Sequence, residues 1–84
     1  MLEIVLKAVR IKTTSFNAEI QMLIDACKEE LVKNGVDVSS LEIKNYYQLA
    51  TINFCKGHFG NNPNAEKYLA IYENLKSYMM GISR

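Results

Sequence analysis

Apolar residues recur along this chain at helical spacing, in four blocks separated by short polar or glycine-containing breaks. In the first block Leu2, Val5, Leu6 and Val9 fall at i, i+3, i+4 and i+7, one face of a helix running to about Ile11. Leu2, Ile4, Leu6 and Ala8 also alternate as a strand would. The helical reading is preferred because Glu3 and Lys7 make a favourable i, i+4 pair. Thr13, Thr14 and Ser15 then supply a loop with candidate N-caps. The second block, from about Phe16 to Asn34, carries the clearest stripe: Ile20, Leu23, Ile24, Cys27 and Leu31. Glu29 and Lys33 pair on its wet face, and Asn34-Gly35 is a stop signal, because glycine enters the left-handed region freely. Val36 to Val38 is a short connection.

The third block runs from about Ser40 to His58, with Ser39 as N-cap and Glu42 three residues on as a capping box. It is apolar on two faces. Ile43, Tyr47, Ala50 and Phe54 make one stripe; Leu41, Ile52, Cys55 and Phe59 make another, interrupted by Gln48. A surface helix of a monomer needs one such face. The doubled pattern implies either a central helix or one that also meets a neighbouring subunit. Gly57 to Asn62 reads as the break. Asn62 as N-cap and Pro63 at the first helical position then start a fourth helix, running to about Met80 with Gly81 ending it. Its inner stripe is Ala65, Tyr68, Leu69, Tyr72, Leu75 and Met79, widened by Ile71, Tyr78 and Ile82. The expected fold is all-α: a small bundle of about four helices with short loops, forming a single domain over residues 1–84.

Size sharpens this picture. A chain of 84 residues is one thin-cored domain, burying roughly 63% of its extended surface. Hydrophobic residues at 49% and charged residues at 23% are globular proportions, and one proline with four glycines favours long regular elements. The net charge of +1 brings no strong field to attract nucleic acid or a membrane. The charge is unevenly spread: +2 over residues 1–12, −4 over 13–42 and +3 over 43–84. These are either ordinary solvated faces or complementary surfaces that meet between subunits. Leu2 to Ile11 is broken by Glu3, Lys7 and Arg10, so it is no signal peptide, and no apolar run is long enough to span a bilayer. The reading places synthesis in a cytosol, where Cys27 and Cys55, 28 residues apart, are expected to be buried thiols acting as small hydrophobes.

Candidate chemistry is sparse. Cys55 and His58 at i, i+3 lack a group to orient the base, so a catalytic pair is not expected. Two separated cysteines and one histidine fall short of a zinc set, and Asp25, Glu29 and Glu30 lack the loop of oxygen ligands that a cation site needs. Phosphate-loop, dinucleotide and zinc-protease motifs are absent from the sequence, and neither cofactor nor enzymatic activity is expected. Tyr46, Tyr47, Tyr68, Tyr72 and Tyr78 have no arginine cluster to make a base-stacking groove. With Phe54 and Phe59 they are better candidates for packing and for an oligomer interface, where an apolar ring with a wet hydroxyl is favoured. A small helical DNA-binding regulator is the alternative function. Leu41-Glu42-Ile43-Lys44-Asn45 fits the start of a recognition helix poorly.

Two motifs carry a resemblance: Phe54-Cys55-Lys56-Gly57-His58-Phe59-Gly60 and Asn62-Pro63-Asn64-Ala65-Glu66-Lys67-Tyr68, followed by Tyr72-Glu73-Asn74-Leu75-Lys76. Together with Val9-Arg10-Ile11 and Phe16-Asn17-Ala18-Glu19-Ile20, the chain resembles the head–tail connector, or DNA-packaging, proteins of tailed bacteriophages over nearly its whole length. The resemblance implies a structural subunit of a homo-oligomeric ring beneath the portal protein. Such a ring extends the channel through which double-stranded DNA passes without sequence preference, and it meets head-completion or tail proteins. It also implies a virion or prophage protein made in the bacterial cytoplasm, with no membrane partner. Within that frame Gly60, Asn62 and Pro63 are expected to form a structural corner. Gly60 would take positive φ, and Phe59 would tuck under the loop against the fourth helix.

Overall fold

Most of the apolar stripes become helix faces turned towards the core. The computed structural model describes residues 1–10, 14–60 and 62–82. It has four α-helices: α1 (Leu2–Ala8), α2 (Asn17–Lys33), α3 (Lys44–His58) and α4 (Ala65–Ile82). Short 3-10 turns over Thr14–Phe16 and Leu41–Ile43 lead into α2 and α3, and there is no strand among the described residues.

The alternating reading of the first block loses to the helical one. Seven residues are too few for a stable isolated helix, and α1 is held by Val5, fully buried with Leu2, Leu6 and Val9 around it. It ends earlier than the stripe suggests. Val9 is the C-cap, and Arg10 follows at φ +60°, donating its N–H to the Lys7 carbonyl at 3.2 Å. Of the candidate caps, Thr13 falls outside the described residues and Thr14 and Ser15 lie in the 3-10 turn, which carries the α2 cap position to Phe16, whose side chain cannot accept a bond.

The α2 terminus follows from Gly35, which sits at φ +87°. Gly35 N–H reaches the Val32 carbonyl at 3.0 Å and Val36 N–H reaches that of Leu31 at 3.0 Å, while Val36 and Leu31 are buried in one cluster. These paired bonds and the apolar contact make a Schellman stop. The start of α3 differs from expectation by one residue. Asp37 Oδ1 accepts from both Ser39 N–H (3.1 Å) and Ser39 Oγ (2.6 Å), so Ser39 is committed backwards. Ser40 is the cap instead, its Oγ accepting from Glu42 N–H at 3.3 Å.

α3 is the centre of the molecule and touches α1, α2 and α4. Its first stripe faces a cluster of Cys27, Leu31, Val36, Ile43, Ala50, Tyr72 and Met79. Its second faces Val5, Ile20 and Ile24 around Cys55. α2 serves both clusters, the second with its N-terminal half and the first with its C-terminal half. The doubled pattern of α3 is therefore a central helix, covered on both stripes within one chain. Leu41 leaves the second stripe: it lies on the lead-in turn and is 86% exposed.

α3 and α4 pack antiparallel in a constant register, seen in the ring contacts Tyr46–Tyr78 (4.7 Å) and Phe54–Tyr72 (5.1 Å). Gly57 belongs to α3 and is not a break. A Cβ there would stand 2.5 Å from Leu69 Cγ, so the missing side chain is what lets the helices close at this end. α4 begins two residues later than the proline suggests. Asn62 Oδ1 accepts from Asn64 N–H (2.8 Å) and Asn62 O from Ala65 N–H (3.1 Å), forming the turn that launches it. α4 also runs through Gly81 to Ile82 and does not end at the glycine.

Candidate interaction surfaces

The aromatic residues singled out by sequence are dispersed by the fold. Tyr72 is buried at the centre of the first cluster, and Tyr47 and Phe54 are half-buried against that cluster. Tyr68 is half-buried near the α3 end, with Lys56 Nζ 5.1 Å from its ring centroid. Phe59 does not turn towards α4. It packs on the second cluster and meets Phe16 edge-on at 5.3 Å, tying the end of α3 to the entry of α2. Tyr46 and Tyr78 are the exposed members, Tyr78 at 52%.

Around that exposed pair lies an apolar face that the inner stripes do not account for. On α3, Tyr46, Leu49 and Asn53 fall at i, i+3 and i+7; on α4, Lys67, Ile71, Asn74 and Tyr78 fall at i, i+4, i+7 and i+11. These spacings put each set on one side of its helix, and the Tyr46–Tyr78 contact joins the two sides. Leu49 is 49% exposed, and Ile71, expected to widen the inner stripe, is also exposed. The residues of both sets include one cation, Lys67, and two amides, Asn53 and Asn74, but no acid. Across the molecule, α2 exposes Met22 (71%) and Val32 (51%). A shallow concavity of about 530 Å³ there is lined by Val32 with Asp25, Lys28, Glu29 and Lys33, whose charges cancel.

A polar clasp holds α4 to α2 behind these faces. Tyr72 Oη donates to Glu30 Oε2 at 2.6 Å, and Lys76 Nζ donates to Glu30 Oε1 at 3.1 Å while pairing with Glu73 Oε2 at 2.9 Å. The bond from Tyr72 holds the Glu30 carboxyl below the usual carboxylate range, with Lys76 reinforcing it. Burial, aided by Glu30, pushes the Tyr72 phenol up. The charge-assisted bond spans 42 residues of sequence and closes a buried polar group that would otherwise be costly. Thr51 is buried close by, accepting from Cys27 Sγ at 3.8 Å and donating to the Tyr47 carbonyl at 2.9 Å.

Both cysteines are free and fully buried. Burial pushes the Cys27 thiol up to about 11 and the Cys55 thiol up to about 12, so the reactive thiolate is disfavoured at neutral pH. His58 is exposed, its ring 4.4 Å from that of Phe54. Asp25 accepts from Gln21 at 3.0 Å and Glu30 is engaged by Tyr72 and Lys76, so the acidic trio of α2 does not converge. Among the described residues there is no metal-holding cluster of His, Cys, Asp and Glu, and no helix long and apolar enough to cross a membrane.

At the α3–α4 corner, Gly60 sits at φ +66° with open space where a side chain would project. Asn62 Nδ2 donates to the Lys56 carbonyl at 3.3 Å, so Asn62 ties the end of α3 to the launch of α4. Pro63 is exposed within that launching turn.

Comparison with known families places this geometry. A family model described as phage connector protein matches residues 1–83. No curated protein and no solved structure matches the chain.

Proposed function

Because the chain belongs to the phage connector protein family, we propose that it is a ring-forming head–tail connector subunit. The ring sits under the portal, extends the DNA channel and joins capsid to tail as the packaged virion is completed. The family is structural, and its membership makes the protein a virion component. Synthesis in the host cytoplasm precedes assembly.

The match over residues 1–83 carries this reading. Physical features support it. A core this thin leaves a small domain marginal, and association is one remedy. A ring contact is heterologous, so each subunit needs two different surfaces. The Tyr46, Leu49, Ile71 and Tyr78 face supplies one and the Met22 and Val32 side of α2 the other, the neighbouring copy being the occupant. Tyr47, Phe54 and Tyr72 lie behind the first face, and Phe59 and Tyr68 near the corner. A net charge of +1 suits a channel through which DNA must move, since every added phosphate contact strengthens binding.

Electron microscopy and light scattering of the purified chain, alone and with portal protein, test the assignment. Rings are expected, and Leu49→Glu with Tyr78→Glu should abolish them without unfolding the subunit. A protein that stays monomeric at millimolar concentration with portal present would refute the proposal.

A further inference from the structure

Where the end of α1, the end of α3 and the approach to α4 meet, they enclose a concavity of about 270 Å³. Its lining includes Val9, Arg10, Lys56, Phe59, Asn62 and Tyr68, so among the described residues two cations share it with no acid. Among the described residues neither cation has an ion-pair partner, since both ion pairs of the structure belong to Lys76. Lys56 is half-buried and lies over the Tyr68 ring, which positions the ammonium without neutralising it. Arg10 lines the site from a left-handed backbone, φ +60°, a conformation that L-residues rarely adopt. Both hydrogen-bonding atoms of the Asn62 amide are committed to backbone groups, so Asn62 acts as a fixed wall.

We propose that this corner is a carboxylate-binding site that takes one acidic side chain of an adjoining protein subunit. Both cations line the same concavity, and Val9 and Phe59 give it apolar sides for the stem of an acidic side chain. A guanidinium beside an ammonium matches a carboxylate. A DNA backbone is the poorer fit, because a duplex presents phosphates as a repeating row on a convex surface and is met by rows of cations. The site goes beyond the ring contact proposed above. Lys56 lies ten positions from Tyr46, about 15 Å further along α3.

The test uses the full chain, 15N-labelled, titrated with acetyl-Leu-Glu-Leu-amide, with its glutamine counterpart and with a short duplex DNA. Salt is held constant and light scattering reports the association state, so a failure of ring assembly and a failure of this site are read separately. The glutamate peptide should move the amides of residues 9, 10, 56, 59, 62 and 68 saturably within about 10 mM, and the glutamine peptide should not. Arg10→Asn, which keeps a residue tolerant of left-handed backbone, and Lys56→Gln should together weaken binding about tenfold. If Lys56→Gln lowers the melting temperature, Arg10→Asn alone should still weaken it. Equal shifts from both peptides, no shift at all, or stronger shifts of the same amides by DNA would each overturn the proposal.

Discussion

Gly57→Ala should change the sign of its effect on stability according to what stands opposite it. In an isolated helix the substitution is favourable, since alanine is better than glycine by about 1 kcal/mol at an interior position. In this protein the new methyl would stand 2.5 Å from Leu69 Cγ and 3.4 Å from the Ala65 carbonyl oxygen. The first contact requires movement. Leu69 is half-buried at the α3–α4 seam, so it must leave its rotamer or push the helices apart. Overpacking of this kind costs about 1–3 kcal/mol. The two effects oppose each other, and the net expectation is a loss of roughly 0–2 kcal/mol, a fall in melting temperature of up to about 16 °C for a domain this size.

A double-mutant cycle separates the contributions. Leu69→Ala removes the obstructing atoms at its own cost of about 2 kcal/mol for a partly buried leucine. In that background Gly57→Ala should be stabilising by about 1 kcal/mol, because propensity acts alone. The coupling energy between the two sites is then about 1–3 kcal/mol, within the range that contacting residues show. Urea denaturation of the four variants, followed by circular dichroism at protein concentrations low enough to avoid association, gives each value. The same sign and size of effect in both backgrounds would refute the packing role assigned to Gly57.

Three further expectations concern the corner, the clasp and the thiols. With open space around its missing Cβ, Gly60 isolates backbone strain from collision: Gly60→Val should cost about 1–2 kcal/mol and Gly60→Asn far less, and equal thermal stabilities would refute a left-handed requirement. Tyr72→Phe should cost about 1–2 kcal/mol and raise the Glu30 titration midpoint, followed by carboxyl NMR, because the first cause of its depression is the tyrosine bond. A carboxyl lowered in the folded state adds stability above its unfolded value and loses it as pH falls, so Tyr72→Phe should also flatten the acid limb of the stability curve. The thiols act oppositely: Cys27 and Cys55 are raised to about 11 and about 12, so their contribution is complete below the unfolded value and is lost as pH climbs towards those values. For Cys27 the loss is on the order of 2–3 kcal/mol, and an alkaline limb unchanged by Cys27→Ala would contradict the burial.

What was legible in the sequence was local. Asn34-Gly35 stopped α2 because the stop needs only a left-handed residue and an apolar neighbour, both adjacent in the chain. The α3 cap was misplaced by one position because two serines compete, and the choice is made by Asp37, which binds Ser39 and releases Ser40. Gly57 reads as a break because a glycine that stops a helix and one that admits a neighbouring helix look alike in one dimension. The partner that distinguishes them, Leu69, lies twelve residues away. The Glu30–Tyr72 clasp had no local signal, since on α2 alone Glu30 reads as part of an acidic trio. Phe59 announced burial but not its direction, which depends on Phe16 arriving from the other end of α2.

The same limit applies to the proposed assembly surface, and it points to where contacts should be sought. Helical periodicity marks residues that one chain buries for itself, and α3 spends both of its marked stripes on its own two clusters. Of the seven aromatic candidates on α3 and α4, Tyr46 and Tyr78 alone are left exposed. A subunit that must associate needs apolar surface beyond its core, so that surface has to come from residues outside the strongest stripes. Leu49, Ile71, Met22 and Val32 meet that condition. Each looks unremarkable as a single exposed hydrophobe, of which soluble proteins have many. Leu49 and Ile71 gain meaning from the Tyr46–Tyr78 contact, which gathers two helix sides into one continuous face. A contact of the proposed ring is therefore to be sought first at exposed apolar residues outside the inner stripes, and only then at the aromatic residues within them.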